Sequence, residues 1–131
     1  MKKLKLLSII AIVTFIFSSC DPEYCSDYSI YNNTQNDIEL FFYGEENSNK
    51  LIEKGEQFMQ SSFCGMGKSY LEYYLVDSVQ IKRDGVLRKT YYPSDEGKSI
   101  YKTQDRNFWK LVQANGNYSK FVFEINEEDL Q

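Results

Sequence analysis

The sequence predicts an all-β fold: an antiparallel β-sandwich of immunoglobulin-like architecture with seven to nine short strands. Three observations predict it. Runs of β-branched and aromatic residues follow one another from Tyr28 onward, separated by polar turns. Two of those turns hold Asp84-Gly85 and Asn115-Gly116, pairs whose tolerance of positive φ marks two-residue hairpins. No long amphipathic helix pattern appears after residue 19. About 110 residues follow the N-terminal apolar run, enough for one hydrophobic core and hardly for two domains.

The elements read in order as follows. "YSIYN" is β-branched and aromatic and makes a strand, and "NTQN" turns the chain. In "DIELFFY" Ile38, Leu40 and Phe42 share one face, so this strand is half-buried. Phe41 and Tyr43 then form a second apolar face that calls for a partner. "GEENSNK" is a loop by composition. "LIE" and "EQFMQ" flank Lys54-Gly55 as a kinked strand or a hairpin. "SYLEYYLVD" (69–77) stays open between helix and strand: Leu71 and Leu75 suit a helical turn and the tyrosines a strand. "SVQIKRDGVLRKTYY" is a hairpin that Pro93 ends, and "SDEG" is a loop. "FWKLVQANGNYSKFVFEI" is a second hairpin with Phe121, Phe123 and Ile125 on one face. Asn126, followed by Glu127, Glu128 and Asp129, has the form of a helix cap with acids in the first turn.

The N-terminus has a different character. Lys2, Lys3 and Lys5 precede an apolar stretch, Leu6 to Phe17, interrupted only by Ser8 and Thr14. As a helix it would reach roughly 18 Å, short of the ~30 Å hydrocarbon core. A basic start, a short apolar run and the small residues Ser18 and Ser19 describe a secretory signal (1–19) that is removed, rather than a span. "FSSC" resembles the lipobox of bacterial lipoproteins. That resemblance implies diacylglyceryl transfer to the Cys20 thiol, cleavage before Cys20 and acylation of the new amine. Two or more acyl chains anchor a protein stably, so the expected partner is the membrane, reached through Cys20. Residues 20–27 then read as a polar tether and 28–131 as the single domain.

Cys25 and Cys64 remain once Cys20 is a thioether. In an exported domain an even pair predicts one disulfide, worth roughly 3–4 kcal/mol for a loop of about forty residues. Five residues would then separate lipid from disulfide, at most about 18 Å of extended chain. A metal site is not expected, since the chain has no histidine and no C-x-x-C pair, and no cofactor is expected either.

The mature chain keeps nineteen acids against twelve bases, a net charge of about −7. That argues against nucleic acid, which needs a basic patch. "SFCGMGKSY" holds Gly67-Lys68-Ser69, but Ser62 stands where a phosphate loop needs its first glycine. An exported compartment also supplies no nucleotide. Without histidine the commonest general base and the Ser-His and Cys-His couples are gone. Glu45/Glu46 and Asp95/Glu96 are the carboxylate pairs an envelope hydrolase would use, the alternative to a non-catalytic binding module. Both lie in expected loops, where acids keep a domain soluble.

Eleven tyrosines are the compositional oddity, with doublets Tyr73-Tyr74 and Tyr91-Tyr92 beside the single Trp109. On a strand one ring of a doublet faces the core and the other solvent. Phe41, Tyr43, Tyr91, Tyr92 and Trp109 are the candidate binding surface, because polar-tipped aromatics suit recognition and stack on sugars. Asp77-Ser78-Val79 resembles the acceptor triplet of the general O-glycosylation system of Bacteroidota, with Ser78 as the carrier.

A wider likeness follows from "SIYNNTQNDIELFFY", "LIEKGEQF", "DSVQIKRDGVLRKTYYP" and "NFWKLV…YSKFVFEINEEDL". Together they resemble the small lipoproteins of Bacteroidota, with their strand–turn–strand opening, D-S-V-led hairpin and final aromatic hairpin with an acidic tail. The likeness implies an outer-membrane, lipid-anchored sandwich and carries no catalytic residues. Asp21, Glu23 and Asp27 are spread rather than clustered after the cysteine, so the periplasmic and the surface-facing placement both stay open. The expected function is a non-catalytic module that binds an envelope protein or a glycan.

Overall fold

Along Ile38–Gly44 buried and half-exposed residues alternate, with Ile38, Leu40 and Phe42 turned inward. That period of two makes the segment a strand with one face on a core. The same logic runs through the computed structural model, which describes residues 22–131. Its eight strands are β1 (Glu23–Asn33), β2 (Ile38–Gly44), β3 (Ser48–Ile52), β4 (Gln57–Met66), β5 (Val76–Arg83), β6 (Val86–Tyr91), β7 (Trp109–Asn115) and β8 (Tyr118–Asn126). A 3₁₀ turn, Glu127–Leu130, follows. The expected signal, residues 1–19, and Cys20 fall outside the described residues.

The strands form two four-stranded sheets, ordered β4-β1-β8-β7 and β3-β2-β5-β6. This is the expected sandwich, with an eight-strand order of its own. All neighbours are antiparallel except β1 and β8. A parallel pair cannot be joined by a tight turn. Here the connection is the rest of the domain, because β1 and β8 are the first and last strands.

The two inner faces meet in one core. Tyr28, Ile30, Trp109, Phe121, Phe123 and Ile125 come from one sheet, and Ile38, Leu40, Phe42, Val79, Ile81 and Tyr91 from the other. Each such side chain contributes roughly 1.5–3 kcal/mol on burial. Trp109 sits at the centre, with ring centroids 5.2 Å from Tyr28 and 5.4 Å from Phe123. Its Nε1–H donates to the Ile100 carbonyl at 3.0 Å. That bond ties down the long β6–β7 connection, whose Ile100 is fully buried.

Several local expectations change. Glu23–Asp27, read as tether, is the first half of β1 and lies between β4 and β8. Its polar side chains misled; the backbone pairs with β4 from Glu23 onward and with β8 from Cys25 onward. "LIE" and "EQFMQ" form neither a kinked strand nor a hairpin. They end β3 and begin β4 in opposite sheets, so Lys54-Gly55 crosses the sandwich. Residues 68–75 take no regular structure beyond a turn at Tyr74-Leu75. Asp84-Gly85 turns as expected, both residues at positive φ (54° and 74°). The second hairpin turns at Gly116-Asn117, one residue later than read. Asn115 pairs with Tyr118, and only Gly116 of the two turn residues has positive φ (57°), the type II′ pattern.

The topology gives the sandwich two distinct ends. One gathers the β1–β2 turn, the β3–β4 crossing, Asp84-Gly85 and the 3₁₀ turn. Asn32 organises it, and the Arg83 guanidinium bridges both carboxylate oxygens of Glu127 at 2.9 and 2.8 Å. The other end gathers the chain entry at Pro22, the β4–β5 connection and the β7–β8 turn. The Gly67 and Cys25 N–H groups donate there to the Pro22 and Asn117 carbonyls, respectively.

Candidate functional site

The entry end is closed by a covalent bond. Cys25 and Cys64 occupy directly paired positions on β1 and β4, with Cα atoms 4.1 Å apart, and they form the expected disulfide. It fixes the start of β1 to the end of β4. Two positions on, the Asp27 carboxylate accepts hydrogen bonds from the Ser62 and Tyr118 hydroxyls, both 2.7 Å. Those bonds hold its pKa below the usual carboxylate value.

Next to the disulfide lies a cleft of about 560 Å³. The start of β1, the 68–70 segment, the β7–β8 hairpin and Arg106 enclose it. Tyr24, Tyr70, Leu111 and Phe121 supply its apolar walls; Ser26, Ser69, Asn117 and Ser119 supply polar groups. Among the described residues Lys68 and Arg106 are its only charged ones. The Arg106 guanidinium lies 4.0 Å from the Phe121 ring centre and 5.6 Å from that of Tyr70. One of its N–H groups donates to the Trp109 carbonyl at 3.2 Å. A planar cation lying over one ring and flanked by a second is held in place at the mouth of the core, near the Tyr28 phenol. Among the described residues neither Arg106 nor Lys68 joins a salt bridge.

Two shallower grooves, of about 590 and 650 Å³, flank the 71–74 stretch. The Thr103 hydroxyl donates to the Leu71 carbonyl (2.6 Å) and the Tyr101 hydroxyl to that of Val76 (3.0 Å), pinning the irregular segment. Burial pushes the Tyr73 phenol far up and that of Tyr101 up to about 12.

The residues singled out in the sequence scatter over this frame. Tyr91 and Trp109 are not a binding surface: they are 1% and 0% exposed and belong to the core. A polar-tipped ring serves a core as well as a surface, and both sit on inward positions. Tyr92, 50% exposed, is the outward half of its doublet. Phe41 and Tyr43 lie on the outer face of β2 with ring centres 6.4 Å apart, and the Lys82 ammonium covers Phe41 at 4.1 Å. Ser78 is half-buried within β5, opposite Tyr43, rather than in a turn before the strand.

Glu45 and Glu46 are exposed in the β2–β3 turn. Asp95 accepts the Tyr92 N–H (2.9 Å), closing a turn beside Glu96. Neither pair lines the cleft. Gly67-Lys68-Ser69 follows a strand and precedes an irregular segment, not a helix, and its Gly67 has φ 78°.

Sequence reasoning missed Tyr24, Tyr70 and Arg106. They come from three separate segments that strand pairing brings together, and no local pattern marks them. No protein-family model, curated protein or solved structure matches the chain.

Proposed function

We propose that this chain is a lipid-anchored lipoprotein of the cell envelope that works as a non-catalytic binding module. The cleft beside the disulfide carries the binding part of the proposal. It joins aromatic walls, polar groups and two cations in one concavity, the usual composition of a recognition site. The basic start, the short apolar run and "FSSC" support the anchor, and the likeness to small Bacteroidota lipoproteins supports the outer membrane as its place.

With β1 beginning at Glu23, only Asp21 and Pro22 separate Cys20 from the first strand. An acylated Cys20 is then at most about 11 Å from the sandwich. The entry end, with its cleft, would lie next to the membrane, so partners confined to that layer meet the site at high local concentration.

Two measurements test the proposal. Intact mass of protein extracted from membranes should show triacylated Cys20 as the first residue; an unprocessed N-terminus overturns the anchor. A photo-crosslinking residue at Tyr70 should form adducts in intact cells that the same residue at Thr90, on the opposite sheet, does not. Equal labelling at both overturns the cleft as the binding site.

A further inference from the structure

We infer that the cleft beside Cys25 selects acidic saccharides, sugars bearing a carboxylate, phosphate or sulfate. The inference rests on the reading of the domain as a binding module and names the ligand class of that same site.

Charge is the first ground. The mature chain is strongly acidic, yet among the described residues the cleft is lined by Lys68 and Arg106 and by no carboxylate. A local reversal against the net charge favours an anion inside the cleft while the rest of the surface repels it. The Arg106 guanidinium donates to the Trp109 carbonyl and has further N–H groups for an oxyanion. Its place over the Phe121 ring, 4.0 Å from the ring centre, restrains where those groups are offered.

The walls are the second ground. Tyr24 and Tyr70 give flat aromatic surface that also carries a hydroxyl, which suits the C–H faces of a pyranose ring. Ser26, Ser69, Asn117 and Ser119 bring short donors and acceptors that match sugar hydroxyls. An inorganic anion would use the cations and leave the rings idle. A neutral sugar would use the rings and leave Arg106 without a counter-charge.

The test is an array of matched saccharides, each acidic member beside its neutral parent (oligogalacturonate beside its methyl ester, phosphorylated and sulfated oligosaccharides beside the plain sugars), probed with the purified oxidised protein. Calorimetry on the best pair then gives affinities. At least one acidic member should bind ten times or more tighter than its parent. Arg106→Gln and the exposed Lys68→Gln should each erase most of that preference, and Tyr70→Ala should weaken both members. Lys68→Gln keeps the test valid if Arg106→Gln unfolds. Equal binding of acidic and neutral members, or no retained acidic member, overturns the inference. Inorganic phosphate binding as tightly as the best saccharide also overturns it. A neutral glycan or protein ligand captured in the cleft would sink this inference alone and leave the binding module standing.

Discussion

The side-chain oxygen of Asn32 accepts both the backbone N–H (3.0 Å) and the hydroxyl (2.7 Å) of Thr34. Its amide nitrogen donates to the carbonyls of Asn36 (2.8 Å) and Ile52 (3.0 Å). A fully buried amide is thereby satisfied at every bond it needs, and it clamps the β1–β2 turn onto the end of β3. Asn32→Leu keeps the volume and takes the side-chain partner from the Thr34 N–H and the Ile52 carbonyl, while the Thr34 hydroxyl still donates to the Asn36 carbonyl. Leaving buried groups unpaired costs about 1–3 kcal/mol each, partly relieved by relaxation. Chemical denaturation should show a loss of about 3 kcal/mol or more. A loss under about 1 kcal/mol would mean that water replaces the clamp.

Gly44 ends β2 against the β4–β5 connection. A Cβ built there would overlap the Leu75 carbonyl oxygen. The obstacle is backbone rather than a flexible side-chain tip, so the chain itself must move. Gly44→Ala should cost about 1–3 kcal/mol, the range for overpacking. It should also loosen the segment that pins the cleft, so hydrogen exchange at the Glu45 and Val76 amides, bonded to Leu75 and Tyr73, should quicken most. Unchanged exchange at those two amides would contradict the assigned strain.

Legibility in the sequence tracked locality. Ile38, Leu40 and Phe42, or Phe121, Phe123 and Ile125, announce strands because side-chain alternation is written in adjacent residues. Asp84-Gly85 announces its hairpin for the same reason. The β7–β8 turn was misplaced by one residue because Gly116 supplies positive φ equally well at either central position. Lys54-Gly55 could not be read at all, since nothing local says that β3 and β4 join opposite sheets. Glu23–Asp27 looked like a tether because its polarity is real; only its pairing with β4 and β8 makes it a strand. The cleft is the extreme case. Tyr24, Tyr70, Arg106 and Phe121 lie far apart in the chain, and their proximity is a property of topology.

Tyr91 and Tyr101 separate two uses of a phenol. The Tyr91 hydroxyl is buried with no hydrogen-bond partner, whereas that of Tyr101 donates to the Val76 carbonyl. Removing an unpartnered buried hydroxyl gives up no bond and relieves its desolvation. Tyr91→Phe should therefore leave the melting temperature unchanged or raise it. Tyr101→Phe orphans a carbonyl and should cost about 1 kcal/mol. Equal losses in both variants would show that Tyr91 has a partner in solution.

Stability should fall at both extremes of pH, for opposite reasons. At the acid end, the Ser62 and Tyr118 hydroxyls depress the Asp27 pKa, and the Gln35 N–H with Arg83 depresses that of Glu127. A carboxyl whose folded pKa is depressed contributes stability above its unfolded value and loses it as pH falls through the folded one. Denaturation midpoints should drop below about pH 4, and Ser62→Ala should flatten that slope by letting Asp27 return toward its ordinary value. At the alkaline end, burial raises the phenols of Tyr28, Tyr73, Tyr91 and Tyr101 above the ordinary phenol value of about 10. Their contribution is complete below the unfolded pKa and drains as pH rises past it, because only the unfolded chain then releases those protons. Phenolate absorbance from these four rings should rise late, together with loss of the β-sheet signal. A phenolate rise complete before any unfolding would contradict the burial of Tyr28 and Tyr91 in the core.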